Sequence, residues 1–189
     1  MANADIPSGL SPACYLNGAP YNGQANQYQV EAGEAVQIMI GDPVKLSNTA
    51  STSTSGLPSV EIAASLDTVV GVCVGVVPAD RDSTIYRVAS TERIILVADD
   101  PQILFEVQED GAIALASIGL NCNLITGVGS TYTGYSLWEL DSSQVSTLNT
   151  YDVQVVRGVD RADNLLVSTN AKWLVRLNNH QFVDGVTGI

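Results

Sequence analysis

The sequence predicts an all-β protein, because short apolar runs alternate with turn-forming residues along most of its 189 residues. The clearest example is residues 93–111, where two such runs, 93–98 and 103–108, flank Asp99-Asp100-Pro101. Proline cannot donate to a sheet and aspartate favours turns, so this tripeptide predicts a tight connection between two strands. Asp110-Gly111 then supplies a second turn of the kind that joins strands.

Similar runs elsewhere bring the total to roughly ten to twelve predicted strands, without the alternation of strands and helices that builds a parallel sheet. The predicted architecture is a barrel, or a jelly-roll or tulip-like β domain. We expect at most one short helix, of about two turns, at the alanine-rich residues 112–119. The remaining predicted strands are residues 27–30, 36–40, 44–46, 69–77, 85–89, 124–125, 136–140, 153–159, 165–167 and 173–177.

Residues 1–25 are predicted to form an extended N-terminal arm, and residues 26–189 to form the β-barrel or sandwich domain. Proline and glycine interrupt any regular pattern in the arm, at Pro7, Gly9, Pro12, Gly18, Pro20 and Gly23. The arm nevertheless carries apolar side chains, which indicates that it docks onto its own domain or onto a neighbouring molecule. Residues 47–58 are polar and of low complexity, which predicts a surface loop.

The composition excludes several classes of protein. Forty-six per cent of the residues are hydrophobic and 15% are charged, so the chain is not a disordered acidic tail. The formal net charge of −12 argues against DNA or RNA as a partner, since phosphate binding requires basic residues. A chain with so few charges has little polar surface to cover a free monomer, which favours an oligomer or a docked subunit.

The sequence also predicts a cytoplasmic site of synthesis and no membrane partner. The first residues have neither the basic nor the apolar region of a secretion signal, and no apolar run approaches the roughly 18 residues that span a bilayer. Cys14, Cys73 and Cys122 are widely spaced and odd in number, which predicts reduced, buried thiols instead of a metal or redox motif.

No pattern in the sequence predicts an enzyme or a cofactor. His180 is the single histidine, and no nucleophile elbow, phosphate-binding glycine loop or metal-ligand spacing is present. Asp67-Thr68 precedes Val69, so the glycine of an aspartic-protease loop is missing. Acidic residues crowd into positions 99–110, but their spacing does not match the helix-flanked calcium loop. Whether this acidic segment binds a cation stays open.

Six segments together resemble the capsid decoration, or cement, proteins of tailed bacteriophages. They cover nearly the whole chain in order, and none of them is a catalytic signature. The segments are Met-Ala-Asn-Ala-Asp-x-Pro-x-Gly-Leu-x-Pro at residues 1–12, Leu-Asn-Gly-Ala-Pro-Tyr at 16–21, Gly-Asp-Pro-Val at 41–44, Val-Ala-Asp-Asp-Pro at 97–101, Phe-Glu-Val-Gln-Glu-Asp at 105–110 and Ala-Lys-Trp-Leu-Val-Arg-Leu-Asn-Asn-His at 171–180.

This resemblance implies a β-rich homotrimer on the outer surface of an icosahedral head, assembled in the host cytoplasm. Such a trimer sits on three-fold and quasi-three-fold positions and clamps neighbouring major capsid subunits. Trimer closure would hide apolar surface, and several weak contacts per trimer would add up through effective concentration. The resemblance therefore implies a structural virion protein whose partners are the major capsid protein and other copies of itself.

Two sets of residues follow as hypotheses. Arm residues would anchor the protein to capsid subunits, or would instead close the base of their own domain: Ile6, Leu10, Tyr15 and Tyr21. A second set would lie near the trimer seam, or would instead be ordinary core and rim: Trp173, Arg176 and His180. If the arm is the anchor, deleting residues 2–24 abolishes head binding and leaves the β domain folded.

A different class of function stays open beside this one. Tyr132, Tyr135 and Trp138 accompany a glycine-rich loop, and exposed aromatic rings on an all-β domain suit stacking on sugars. The alternative is therefore a phage tail or fibre module that binds carbohydrate on the host surface. A trimeric β-fold nucleotide hydrolase is a third candidate, disfavoured by the missing phosphate loop and the shortage of basic residues.

Overall fold

The computed structural model describes residues 3–47 and 55–183. Within them the chain forms eleven β-strands and a single turn of 3-10 helix at Leu115–Ser117, which confirms the all-β class. The strands are β1 Ser11–Tyr15, β2 Asn26–Val30, β3 Pro43–Leu46, β4 Val60–Ile62, β5 Gly71–Val76, β6 Arg93–Ala98, β7 Ile103–Gln108, β8 Asn121–Ile125, β9 Glu139–Ser146, β10 Val153–Gly158 and β11 Lys172–Leu177.

The strands form two antiparallel sheets. One has six strands in the order β1-β7-β11-β10-β8-β9, and the other has five in the order β2-β6-β5-β3-β4. Neither sheet closes into a barrel, but isolated bridges bring distant strands of each sheet together. Glu109, directly after β7, bridges Leu140 of β9, and Gln29 of β2 bridges Ser59, directly before β4.

Two hydrophobic cores share the strands β5 and β6 as a common wall. Val72 and Ala98 project into the larger core, which is built mainly by the six-stranded sheet around Trp173 and Phe105. Their neighbours Cys73, Ile95 and Val97 project into the smaller core, inside the five-stranded sheet. Because their residues serve both cores, β5 and β6 are almost continuously apolar and lack the alternation of polar and apolar residues that is typical of strands with one exposed face.

Glycine permits the close approach of β5 to β6 at one position. A Cβ atom at Gly71 would lie 2.3 Å from the carbonyl oxygen of Ala98, whereas one at Gly75 would meet the Leu96 side chain at 3.5 Å. We expect Gly71→Ala to destabilise the fold by about 1–3 kcal/mol, because the backbones must separate. Gly75→Ala is the matched control on the same strand.

Urea unfolding of both variants measures this difference. The expected result is a clear drop in the unfolding midpoint for Gly71→Ala and a much smaller change for Gly75→Ala. Equal midpoints for the two variants would contradict the shared-wall packing.

A buried carboxylate fastens the end of β7 to the start of β11. Glu109 is inaccessible to solvent and accepts hydrogen bonds from the backbone N–H of Ile113 (2.6 Å), the backbone N–H of Ala171 (3.2 Å) and Nε1 of Trp173 (2.9 Å). Burial raises the pKa of Glu109 to about 7, although all three donors favour the ionised form.

Glu109 makes stability depend on pH with a defined sign. Because its pKa is higher in the folded than in the unfolded protein, folding binds a proton, and this contribution to stability fades as pH rises from about 4.5 to 7. Comparing wild type with Glu109→Gln by chemical denaturation isolates it. The free energy of unfolding of wild type relative to Glu109→Gln is expected to be largest at or below pH 4.5 and to fall by up to about 3 kcal/mol by pH 8.

The exposed Glu92→Gln is the control for removing one negative charge. It should follow wild type across the same pH range. An advantage over Glu109→Gln that grows with pH would show that the three donors outweigh the cost of burial.

The structure corrects three expectations about secondary structure. Residues 112–119 contain one 3-10 turn and no two-turn helix, since the Glu109 side chain holds Ile113 and the N–H of Gly119 bonds to Val155 of β10. Strand β1 lies within the predicted irregular arm, and β4 follows the predicted surface loop. Residues 48–54 of that loop lie outside the described residues.

Three predicted strands do not form, because side chains make hydrogen bonds to backbone groups in or beside these segments. Between residues 36–40 and 85–89, one isolated bridge pairs Ile38 with Arg87. The buried guanidinium of Arg87 donates to the carbonyl oxygens of Glu31, Val36 and Thr91. In residues 165–167, Asn3 donates to the carbonyl of Leu165 and accepts its N–H.

Candidate functional site

The start of the arm is fastened to its own domain. Asn3 bonds to the segment 165–169, and the buried side chain of Gln108 donates to the carbonyl of Ala4 and accepts the N–H of Ile6. Further along, β1 pairs with β7 as an edge of the six-stranded sheet. Residues 3–15 therefore dock onto the protein's own domain. Their role in binding another molecule depends on which of their side chains stay exposed.

The four candidate anchor residues have different environments. Ile6 is 67% exposed, whereas Leu10 is buried in the larger core. Tyr15 and Tyr21 are half-buried against that core, with ring centroids 6.2 Å apart. Deletion of residues 2–24 would thus remove a core side chain and an edge strand, so it does not separate docking from folding as the sequence suggested.

The three candidate seam residues also differ. Trp173 is fully buried and donates to Glu109, and His180 is buried with its Nδ1 accepting the N–H of Phe182. Burial lowers the pKa of His180, which favours the neutral ring. Both side chains pack inside their own chain. Arg176, on β11, is half-buried.

The aromatic residues near the glycine-rich loop also include both exposed and buried side chains. Tyr132 is 93% exposed and Tyr135 is 49% exposed, whereas Trp138 is 2% exposed and belongs to the larger core. Trp138 is therefore not part of an aromatic platform on the surface. The other two rings remain accessible.

The loop that carries Tyr132 is tightly packed. The N–H of Ser130 bonds to the carbonyl of Tyr135 (2.9 Å), and the N–H of Gly134 bonds back to the carbonyl of Ser130 (2.7 Å). Gly134 has φ +73°, and a Cβ there would lie 2.6 Å from the Ile85 side chain. A Cβ at Gly127 would lie 2.0 Å from the carbonyl oxygen of Leu137. The loop thus holds an exposed tyrosine on a defined backbone.

Ile85 lies against this loop at Gly134, and Val36 shares a cavity wall with Val128 of the loop; together with Tyr132 and Tyr135 they form what we call the Tyr132 surface. Val128 is 80% exposed, and the other members are about half exposed. Beside Val128 and Val36 opens a cavity of about 290 Å³. The Tyr132 surface consists of Val36, Ile85, Val128, Tyr132 and Tyr135; the cavity is lined chiefly by Val36, Met39, Ile62, Ala63, Val128 and Trp138.

One carboxylate also lines this cavity. Asp42 is buried and accepts the backbone N–H of Met39 at 2.7 Å. Burial raises the pKa of Asp42 to about 6, and hydrogen bonds from Ser136 and Met39 oppose that rise. Of the described residues that line the cavity, Asp42 alone is ionisable. Sequence reasoning assigned Asp42 only to a turn, since nothing in Gly41-Asp42-Pro43 shows what the fold places around it.

A second cavity, of about 490 Å³, lies where residues 3–6 meet residues 161–172. Its charged groups neutralise one another: Arg161 bonds to Glu106 (3.0 Å) and Asp163 (2.9 Å), and Lys172 lies 3.6 Å from Glu106. Ile6 and Leu165 line this cavity with exposed side chains.

The acidic segment 99–110 is dispersed by the fold. Asp99 accepts hydrogen bonds from Asn26 and from the hydroxyl of Tyr28 (2.7 Å), whereas Glu109 lies in the interior. Among the residues that the structure describes, no three histidine, cysteine, aspartate or glutamate side chains are grouped to hold a metal ion. The thiols are free; Cys73 and Cys122 are buried as expected, and Cys14 is half-buried.

Comparison of the chain with protein-family models, with curated proteins and with solved structures finds no match. In residues 3–47 and 55–183, no helix has the length and hydrophobicity to cross a membrane. The site must therefore be interpreted from its own geometry.

Truncating two aromatic residues, Tyr132 on the loop and Trp138 in the cavity wall, should have very different consequences for stability. Tyr132→Ala is expected to change the free energy of unfolding by less than about 0.5 kcal/mol, because the ring is in solvent. Trp138→Ala should cost about 3–5 kcal/mol, because it empties part of the core. Urea titrations of both variants measure this contrast, and a large loss for Tyr132→Ala would show that the ring packs against the fold.

Proposed function

We propose that the protein is a capsid decoration protein that binds the outside of an icosahedral phage head as a homotrimer. In this role it stabilises neighbouring major capsid subunits and has no enzymatic activity. The observation that carries the proposal is the Tyr132 surface: large apolar side chains presented to solvent by a packed loop. Exposed apolar patches of this kind typically mark sites of protein–protein contact.

The balance of charge supports a place on the outside of the head. A chain with net charge −12 is repelled by packaged DNA and suits a surface that faces solvent. The buried carboxylates and the antiparallel sheets stabilise the fold, and the exposed loops are the parts that would contact capsid subunits. The six segments that resemble cement proteins add the expectation of three-fold symmetry.

Within this proposal, the burial of individual side chains changes which residues are candidates for docking. Of the four arm residues, Ile6 keeps an exposed side chain that a capsid subunit can contact, whereas Leu10 serves the core. Arg176 is the remaining candidate for the trimer seam, since Trp173 and His180 are interior. The Tyr132 surface is the main group of docking candidates that the sequence analysis did not predict.

Co-sedimentation with undecorated heads of the same phage tests the proposal. Purified protein at increasing concentration is spun with heads, and the bound protein is counted per lattice position. Saturation at a multiple of three copies is expected, because a trimer fills each three-fold or quasi-three-fold position. Mature decorated heads, whose sites are filled, are the control.

Absence of binding to undecorated heads would overturn the proposal, most directly if the protein is found in tails or free in the lysate. Saturation at one copy per capsid subunit, without grouping in threes, would retain decoration and reject the trimer.

A second candidate is a carbohydrate-binding module of a tail or fibre, favoured by the exposed rings of Tyr132 and Tyr135. A glycan array separates it from decoration. Specific glycan binding that is lost in Tyr132→Ala would support this candidate, and an array without hits would count against it.

A further inference from the structure

We propose that the cavity beside the Tyr132 surface receives a lysine or arginine side chain of the major capsid protein, flanked there by apolar residues. The inference rests on the proposed function and names the chemistry of the contact. It departs from the sequence-based expectation, which placed docking on the N-terminal arm.

Charge is the first argument. The Asp42 carboxylate is buried with no cation among the described residues that line the cavity. Nearby cations of the same chain are engaged elsewhere: Lys45 lies 2.8 Å from Asp67 and 3.4 Å from Glu61, and Arg87 donates to backbone carbonyls. A buried carboxylate without a counterion is unfavourable, and a cation supplied by a partner would offset that cost.

The dimensions of the cavity are the second argument. Its volume of about 290 Å³ lies at the lower limit of pockets that bind small molecules, about 300–1,000 Å³, and suits one long side chain. The wall is mostly apolar, with Gln37 and Thr126 as its neutral polar side chains and Asp42 as its acidic one. Lysine and arginine combine an aliphatic stem with a charged end, so they match an apolar channel that contains a carboxylate.

The rim of the cavity is the third argument. Val128 lines the cavity and is 80% exposed, and Tyr132 and Tyr135 are exposed on the same loop, so these side chains would pack on apolar neighbours of the inserted side chain. Because the loop is already held by its own hydrogen bonds, little ordering is needed on binding. Tyrosine and arginine are the residues most enriched where binding energy concentrates in interfaces.

Two variants test the inference in the head-binding assay. Tyr132→Ala removes the exposed ring, and Asp42→Asn removes the charge while keeping an acceptor for the N–H of Met39. Each is expected to raise the concentration for half-saturation by about tenfold or more. Val167→Ala, an exposed apolar residue in the segment 165–169, is the matched control and should bind as wild type does.

A photo-crosslinking residue at Val128, which is 80% exposed, tests the same contact without altering Asp42. Irradiation of decorated heads followed by mass spectrometry is expected to recover a capsid-protein peptide that contains lysine or arginine at or near the crosslink. This measurement tests the inferred contact even if a thermal unfolding control shows that Asp42→Asn is unstable.

The outcomes separate the two proposals. If wild type does not bind heads, the proposed function and the inference both fail. If wild type binds and both Tyr132→Ala and Asp42→Asn bind equally well, decoration stands and the inference is overturned. Crosslinking of Val128 to another copy of this chain, or to a peptide without basic residues, also overturns the inference alone.

Discussion

The wall formed by β5 and β6 is the constraint on which the rest of the structure depends. Val72 and Ala98 pack into the larger core and Cys73, Ile95 and Val97 into the smaller one, so a single pair of strands contributes to both cores. The close approach at Gly71 brings the two backbones together, and close packing of this kind is sensitive to single atoms. The loops that form the candidate site depend on both cores and therefore on this wall.

Buried polar side chains hold together segments that are not joined by strand pairing. Arg87 donates to the carbonyls of residues 31, 36 and 91, and Glu109 accepts hydrogen bonds from residues 113, 171 and 173. Asp152 accepts the N–H groups of Leu66 and Leu124 and thereby ties the loop after β4 to β8. Such contacts let a protein with long connections keep its irregular segments ordered, since buried polar groups require partners.

The candidate site depends on the order of the loop that presents it. A tyrosine exposed on a mobile loop would lose much of its binding energy to ordering, whereas Tyr132 is presented by a loop closed through its own hydrogen bonds. The neighbouring cavity places one acidic group within a mostly apolar wall. In the proposal made above, this combination of shape and charge is what a basic side chain with apolar neighbours would contact.

The sequence by itself determined the all-β class and most of the central strands, because apolar runs and turn residues act locally. It also determined the charge that argues against nucleic acid. Only the tertiary structure decided that residues 10–15 join the domain, that Trp138, Trp173 and His180 are interior, and that Asp42 faces an apolar cavity. The physical reason is that burial and side-chain hydrogen bonds arise between residues far apart in the chain, such as Asn3 with Leu165 and Arg87 with Val36. No local pattern encodes these contacts.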